Sequence, residues 1–589
     1  MIFFKYEENK LIYKESIRKS KSDFEDKLVD SLKDNPKRFF NYTRNFTKSS
    51  STVETLEVDG NSVENDYEKA EALNNFFSSV LTVEPPLHHS IPLSTERIKK
   101  TFEFKPFTID QVSKKLLHLK LFKSSGPDNI HVNVLRKTSN FDAPFCILFN
   151  HSILTGCVPE DWKLGNITPI FKSGSRRSCN NYRPVTLTSQ VAKLLERLVQ
   201  DQILQFVIDN NIISCDQHGF QQKCSCVSQL LECLNDWTLS FDTNTPEDII
   251  YLDFAKAFDT VPHERLLYKL EHYGIRGYVL TWMRNFLTNR KQRVLLRNGQ
   301  SSWKNVTSGV PQGSILGPLL FLLFVNDLPS FANLTAELFA DDTKLYGPAN
   351  TVEECQEIQR DLNSFSAWSK LWLLNFNAQK CVVLRLRESV RYFYSLNGVY
   401  LNTVTTQKDL GVYISSTLKP SEHIRNITRK AYQKIGLVKR CFTSMTRKKI
   451  TTLYTTVIRP GLEYASPVWS LWLKSDINKL ESVQKKCLDL SLEPINLASL
   501  QDRRDYFDLI ETFKYLKGMV KTPSNLFFKP PNRHLRGHSL KIAKEYSRTD
   551  IRKFFFSNRV VDHWNNLNQK TVQTATLTSF KRALRGDRH

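Results

Sequence analysis

Two short acidic stretches about ninety residues apart carry the residue types for metal-assisted chemistry: Tyr251-Leu252-Asp253-Phe254 and Phe339-Ala340-Asp341-Asp342. Ile249, Ile250, Tyr251 and Leu252 precede the first acid, and Leu338, Phe339 and Ala340 precede the second pair. A carboxylate at the end of such an apolar, strand-like run is costly to ionise without a partner. Brought together, Asp253, Asp341 and Asp342 would repel one another unless cations lay between them. Hard divalent ions with oxygen ligands meet that need, and Mg²⁺ commonly completes its shell with substrate phosphates. Two such ions about 4 Å apart activate an attacking oxygen and stabilise a leaving one in phosphoryl transfer. Asp341-Asp342, between Phe339-Ala340 and Thr343-Lys344-Leu345-Tyr346, reads as strand, tight turn, strand. An Asp pair in a hairpin is by itself most often only a turn. Its company argues otherwise.

Between the acid sites lies Ser308-Gly309-Val310-Pro311-Gln312-Gly313-Ser314, then Leu316-Gly317-Pro318-Leu319-Leu320. The glycines allow a backbone to pass close to a ligand, and Pro311 stiffens the turn. Gln312 both donates and accepts hydrogen bonds, as a nucleotide contact requires.

Three blocks in this order resemble motifs A, B and C of a reverse transcriptase, most closely that of non-LTR retrotransposons (LINE elements, Jockey-like). They are Asp253-Phe254-Ala255-Lys256-Ala257-Phe258-Asp259, Gly309 to Ser314, and Phe339 to Asp342. Pro169-Ile170-Phe171-Lys172-Ser173-Gly174 and Asn181-Tyr182-Arg183-Pro184-Val185 resemble the family's fingers motifs. Gln217-His218-Gly219-Phe220 resembles its next block. Leu374-Asn375-Phe376-Asn377 with Lys380-Cys381 resembles motif D, and Lys408-Asp409-Leu410-Gly411-Val412 the primer-grip segment. Ser124 to Ile130 resembles the extension before the fingers. The likeness runs from about residue 65 onward and is most specific from 163 to 415.

The resemblance implies roles. Asp253, Asp341 and Asp342 would hold two Mg²⁺ ions, with Mn²⁺ able to substitute, and the Phe254 carbonyl would complete one shell. Phe258 would be an aromatic gate crowding a ribose 2′-hydroxyl, although an isolated Phe there reads as a core residue. Lys172 and Arg183 would clamp the triphosphate. Gln312 and Gly313 would line the nucleotide pocket. Lys380 would protonate the leaving pyrophosphate, and Leu410, Gly411 and Val412 would support the primer. The implied substrates are an RNA template, a DNA primer or nicked DNA target, and deoxynucleoside triphosphates. The family implies a nuclear site of action and a cytoplasmic ribonucleoprotein.

These groups need a large scaffold. A chain of 589 residues exceeds one ordinary core, and 40% hydrophobic content is that of a folded protein. The expected fold is α+β: a right-hand polymerase with fingers, a palm made of an antiparallel sheet backed by helices, and a helical, basic thumb. Residues 1–95 read as an N-terminal linker with a Ser/Thr stretch near Lys48 to Thr52 and one helix, Asp66 to Val80, whose apolar face is Ala70, Leu73, Phe76 and Phe77. Residues 96–152 read as a fingers extension and 153–415 as fingers and palm, with 108–240 mostly helical. Ser189 would cap a helix with the stripe Val191, Leu194, Leu195, Leu198 and Val199. Residues 416–500 read as the thumb, with Ile424, Ile427, Ala431 and Ile435 at helical spacing. Residues 501–589 form a basic extension with no chemistry assigned.

Net charge is +23, and from Ser416 onward 34 Lys and Arg face 14 Asp and Glu, a net of +20. That asymmetry suits a clamp on a polyanion, with salt-sensitive binding, or else a merely solvated face. Eleven cysteines lack paired spacing, which points to a reducing intracellular compartment. Ile315 to Val325 is too short and too interrupted for a membrane span. Cys215, His218, Cys224 and Cys226 loosely resemble a zinc site but match no finger or knuckle.

Neither endonuclease residues nor an RNase H acid set is evident, so the chain reads as the polymerase part of a longer reading frame or a truncated copy. Gln221-Gln222-Lys223-Cys224 departs from the Arg/Gly-rich stretch that relatives carry. An alternative is a retired element that binds nucleic acid without polymerising. RNA-copying RNA polymerases, which tend to carry an acid at the Phe258 position, and telomerase or group II intron enzymes rank lower.

Overall fold

The computed structural model describes residues 2–46, 53–86, 91, 93, 97–121, 123–137, 141–387, 390–469, 471–491, 493–531 and 536–586. The Ser/Thr stretch from Lys48 to Thr52 lies outside them.

The fold is mixed α/β around a five-stranded sheet. Its order is Asn402–Val404, Val382–Leu386, Glu247–Leu252, Asp342–Pro348, Thr335–Phe339. The central strand is buried along its whole length. Its side chains alternate as a strand must: Ile250 and Leu252 join one apolar core, Ile249 and Tyr251 another. The first core holds the helix Gly317–Val325, and the second is built largely from residues beyond 410. Being covered on both faces explains the apolar run from Ile249 to Leu252 within this strand.

The sheet departs from the purely antiparallel one that the sequence suggested. Its edge strand Asn402–Val404 pairs parallel with Val382–Leu386. The region 108–240 also holds more than helices. Strands Leu164–Phe171 and Tyr182–Leu187 form a hairpin, and the first pairs parallel with Arg290–Val294, which pairs with Lys304–Val306. Residues so far apart in sequence give no local signal of that pairing.

Helix Gln190–Asp209 forms as expected. Ser189 Oγ accepts from the Val191 and Ala192 amides, and the whole predicted stripe is buried. Helix Asp66–Ser79 buries Ala70, Leu73 and Phe77, with Phe76 half-buried. Helix Ser421–Cys441 buries Ile424, Ala431 and Ile435, with Ile427 half-buried.

Residues 1–95 read from sequence as a linker with one helix; the structure adds helices Ile2–Asp30 and Pro36–Arg44. Leu28, Val29, Leu32 and Phe39 pack on Val438, Phe442 and Leu453. Glu25 is fully buried and accepts from the Thr443 amide at 3.1 Å, and Tyr42 donates to the Cys441 carbonyl at 3.0 Å. The sequence hides such a docking because the apolar residues of the first helix are spread along it, and only Leu28 and Val29 near its end are buried while Phe4, Leu11, Ile12 and Tyr13 stay exposed.

The basic C-terminal segment also packs inward. Arg552 Nη1 donates to Asn235 Oδ1 and Thr238 Oγ1, each at 3.0 Å, and the Phe513 ring stacks on Phe580 at 4.1 Å. The cysteines form no disulfide. No helix among the described residues is long and apolar enough to cross a membrane.

Candidate active site

Strand Glu247–Leu252 delivers Asp253 at its end, where the segment 375–381 clamps the backbone. The Asp253 amide donates to Cys381 Sγ at 3.4 Å, and its carbonyl accepts from Asn377 at 2.7 Å. The Ala255 amide donates to the Asn375 carbonyl at 2.8 Å, and Phe254 stacks on Phe376 at 4.3 Å. The same segment brings Lys380 Nζ within 3.7 Å of Asp253 Oδ1.

Asp341 and Asp342 sit at a tight hairpin, as their neighbours predicted. Phe339 pairs with Asp342, leaving Ala340 and Asp341 as the turn. Ala340 has φ +59°, a region non-glycine residues seldom adopt. A second segment holds this turn from beneath. Gln217 Oε1 accepts from the Ala340 amide at 2.9 Å and the Gly219 amide at 2.7 Å. His218 donates its amide to the Leu338 carbonyl at 2.8 Å, and Leu338 donates to the Asp216 carbonyl at 2.9 Å. A Cβ on Gly219 would lie 2.4 Å from the Ala340 nitrogen, so only glycine fits this approach. The Gln-His-Gly-Phe block stands out in the sequence, but its place as the turn's footing does not. A lone glutamine carries no chemical signature of that role.

The three carboxylates share an electrostatic environment. Loss of hydration raises Asp341 above the ordinary aspartate value, and the charge of Asp253 adds to it, against Arg183 and Lys172. Asp342 is pushed up to about 6, first by desolvation in the cleft and then by repulsion from Asp341 and Asp409. Their oxygens do not crowd into one cage: among the described residues, the one trio of potential ligands with atoms all within 4.8 Å lies elsewhere.

The glycine-rich loop lies against the segment following Asp253. The Val310 amide donates to the Phe258 carbonyl and the Gly309 amide to the Val261 carbonyl, both at 2.8 Å. The half-buried Phe258 ring stacks on Phe321 at 4.5 Å. Gln312 Nε2 donates to Asp259 Oδ1 at 2.8 Å, and the Gln312 carbonyl accepts from the Thr186 amide at 2.8 Å. Burial pushes Asp259 up to about 6. Asp259 is a site residue that the sequence reading passed over. Its signal was its place in the Asp253–Asp259 block.

Lys172 and Arg183 face across the hairpin ends, the Lys172 amide donating to the Asn181 carbonyl at 2.8 Å. Partial burial lowers Lys172, and the charges of Arg183 and Lys380 add to this, while Asp253 and Asp341 oppose it. The five groups therefore sense one another across one cleft. Gly313 ties the hairpin to the loop: it has φ +134°, and a Cβ there would lie 2.2 Å from the Thr186 carbonyl oxygen. G313A should therefore displace the loop at a local cost of about 1–3 kcal/mol. If the loop lines the nucleotide pocket that the resemblance implies, KM for the nucleotide should rise by about tenfold or more. Unchanged KM would refute this role for the close approach.

Leu410 and Gly411 form the turn of hairpin Thr406–Asp409/Val412–Ser415, with φ +43° and +92°. Tyr464 Oη donates to the Leu410 carbonyl at 2.9 Å, and Val412 is buried. Asp409 forms a buried ion pair with Lys344 at 2.9 Å, two residues beyond Asp342. The hairpin is thus tied to the acidic strand. The cysteine grouping considered from sequence does not assemble. Among the described residues, His218 instead clusters with Glu232 and Glu337.

Residues 170–413 match the reverse transcriptase (RNA-dependent DNA polymerase) family. That match covers the stretch from the end of the Leu164–Phe171 strand to the Leu410–Val412 turn. Several similar curated proteins are polymerases of Drosophila mobile elements. The chain is 28% identical over 432 residues to the probable RNA-directed DNA polymerase from transposon BS of Drosophila melanogaster, covering 69% of this chain and 46% of that protein. It is 28% identical over 422 residues to the RNA-directed DNA polymerase from mobile element jockey of the same species, covering 69% and 45%. The probable RNA-directed DNA polymerase from transposon X-element of Drosophila melanogaster is 28% identical over 356 residues, covering 58% and 39%. The chain thus spans a little under half the length of these curated relatives. The reverse transcriptase match encloses Lys172, Arg183, Asp253, Phe258, Gln312, Asp341, Asp342, Lys380 and the Leu410–Val412 turn.

Proposed function

We propose that this chain is an RNA-directed DNA polymerase of a non-LTR retrotransposon, adding deoxynucleotides to a primer 3′-hydroxyl. The observation that carries the reading is the convergence of Asp253 with Asp341 and Asp342, opposite Lys172, Arg183 and Lys380, beside the loop of Gln312 and Gly313. Carboxylates raised by lost hydration and mutual repulsion suit hard cations, which restore charge balance. Asp253, Asp341, Asp342 and the Phe254 carbonyl would hold two Mg²⁺, with Mn²⁺ as a substitute. Bound there, such ions supply activation of the attacking hydroxyl and charge stabilisation at the leaving pyrophosphate.

The chain's own groups do the rest. Lys172 and Arg183 bind the triphosphate and hold its charge. Lys380, within reach of Asp253, delivers a proton to the pyrophosphate as it leaves. Gln312 is braced by Asp259 and the hairpin, so its loop forms a fixed wall for the incoming nucleotide. The Leu410–Val412 turn supports the primer strand. The five-stranded sheet corresponds to a palm, the Leu164–Leu187 hairpin with its helices to fingers, and the basic helices beyond Ser416 to a thumb on the template–primer backbone. The template is RNA and the primer DNA or a nicked DNA target, with action in the nucleus after assembly of a cytoplasmic ribonucleoprotein.

Phe258 fills the space beside this wall, its position fixed by the Phe321 stack. Steric exclusion of a 2′-hydroxyl follows from bulk alone. F258V should raise ribonucleotide incorporation relative to deoxynucleotide by about 10–100-fold, measured as the ratio of kcat/KM values. An unchanged ratio would remove Phe258 as the gate.

The direct test is incorporation of labelled deoxythymidine triphosphate on poly(rA) primed with oligo(dT), with Mg²⁺ or Mn²⁺. Metal-dependent extension establishes the polymerase. Folded protein that binds primer–template yet extends nothing would instead mark a retired nucleic-acid-binding protein.

A further inference from the structure

Beneath the acidic turn lies a cluster that the polymerase reading leaves unused. His218 is 3% exposed, and neither ring nitrogen has a hydrogen-bond partner. Its Nε2 stands 3.5 Å from Glu337 Oε2 and 3.6 Å from Glu232 Oε2. These are too long for hydrogen bonds to an imidazole. They match the spacing across a metal ion: two ligands at 2.0–2.1 Å from tetrahedral Zn²⁺ stand roughly 3.3 Å apart. All three ligand atoms lie within 4.8 Å of one another.

We propose that His218, Glu232 and Glu337 form a structural site for a borderline divalent ion, with Zn²⁺ the best fit, that pins the footing of the acidic turn. Imidazole and carboxylate together suit Zn²⁺ better than Mg²⁺, which prefers an all-oxygen shell. The imidazole is ready to ligate. Burial, and then Lys521 and Lys344, hold His218 down at about 4, so its nitrogens are free of the second proton at neutral pH. Burial outweighs the nearby lysines: it raises Glu232 to about 7 against Lys521, and Glu337 to about 8 against Lys344, Glu232 adding to the latter. A cation between them removes that penalty. The outer contacts are also in place. Gln229 Nε2 donates to Glu337 Oε2 at 3.4 Å, and Thr522 Oγ1 donates to Glu232. Such partners orient ligating groups.

The three ligands come from three separate segments: the 216–219 footing, helix Cys226–Thr243 and strand Thr335–Phe339. One ion would therefore cross-link the helix and the strand through the residue next to Gln217. Gln217 holds the Ala340 amide. Charged groups that face the site from other elements are Lys344 with its partner Asp409, Lys521, Asp216 and Asp236.

The test strips the full chain with chelator, saturates it with Mg²⁺, and titrates Co²⁺ as a spectroscopic stand-in, then Zn²⁺. The expected result is one equivalent with the intense visible bands of a low-coordinate nitrogen–oxygen site, which an all-oxygen aspartate site does not give. Binding should release protons at pH 7, because Glu337 and part of Glu232 give theirs up. Glu337→Gln and His218→Asn should abolish the bands and weaken Zn²⁺ binding at least 100-fold. That is the upper range for loss of an outer-shell partner alone. Glu337→Gln also removes a poorly hydrated carboxyl, so this variant should fold and melt no lower than the metal-free parent, while losing the Zn²⁺-induced rise in Tm. Equal Co²⁺ bands and Zn²⁺ affinity in the variants would overturn the proposal. So would the absence of any Mg²⁺-insensitive equivalent, which would leave the cluster as a proton-sharing carboxylate pair.

Discussion

Extension of an oligo(dT) primer on poly(rA) should fall by at least about 10³-fold, some 4 kcal/mol of transition-state stabilisation, when Asp341 is replaced by Asn. The substitution keeps the shape of the turn and the Gln217 brace on Ala340 while removing one anion. Binding of template–primer should persist, since the cationic surfaces are untouched. A D341N protein that extends at more than a few per cent of the parent rate would sink the three-carboxylate site. The same site predicts a pH signature. Asp342 is raised to about 6 without cations, above its unfolded value. The folded state therefore favours its protonated form, and that contribution to stability disappears as pH rises through 6. Cations relieve this only once the proton has left. Mg²⁺ should thus raise Tm more at pH 7.5 than at pH 5.5, as thermal melts with and without Mg²⁺ would read. In D342N the difference between the two pH values should shrink; a difference of the parent's size would assign it to other groups.

The largest stability effect should come from D327A. Lys269 and Asp327 are both fully buried, with Nζ 2.5 Å from Oδ1 and 2.6 Å from the Phe324 carbonyl. Nζ also lies 3.7 Å from the centroid of the Trp372 ring, and Trp368 Nε1 donates to Asp327 at 3.2 Å. The pair joins three helices, His263–His272, Gly317–Val325 and Val352–Trp372, behind the central sheet. Burial holds Lys269 down at about 8 even with its partner present. Removing the carboxylate strands an ammonium in an apolar site, which costs about 3–5 kcal/mol. Urea unfolding should show a large drop in midpoint for D327A. The double variant K269M/D327N should recover most of it, because it buries no charge. If D327A unfolds at the parent's urea concentration, the pair holds nothing together.

The candidate site was legible in the chain because it is written in local residue order. Apolar run then acid, and Gly-Val-Pro-Gln-Gly before an apolar helix, are short-range patterns. Asp253 at a strand end and Asp341 in a two-residue turn both appear as expected. Helix Gln190–Asp209 was equally open to inspection, since cap and stripe lie within one segment. What stayed hidden was long-range or depended on few residues. The helix Ile2–Asp30 reads as polar because only its end finds a partner, more than four hundred residues away. The parallel pairings of Leu164–Phe171 with Arg290–Val294 and of Val382–Leu386 with Asn402–Val404 leave no local trace, as strand register depends on which faces become buried.

The sequence by itself therefore determined the candidate reacting groups, their order and the family they resemble, because side-chain type and near-neighbour spacing set chemistry. Only the tertiary structure decided what supports those groups. Gln217 under the turn, Asp259 behind Gln312, Lys344 joined to Asp409, and His218 facing two glutamates instead of three cysteines each depend on distant segments meeting. A buried polar group must be satisfied by whatever folding brings to it, and composition and spacing do not say what that will be.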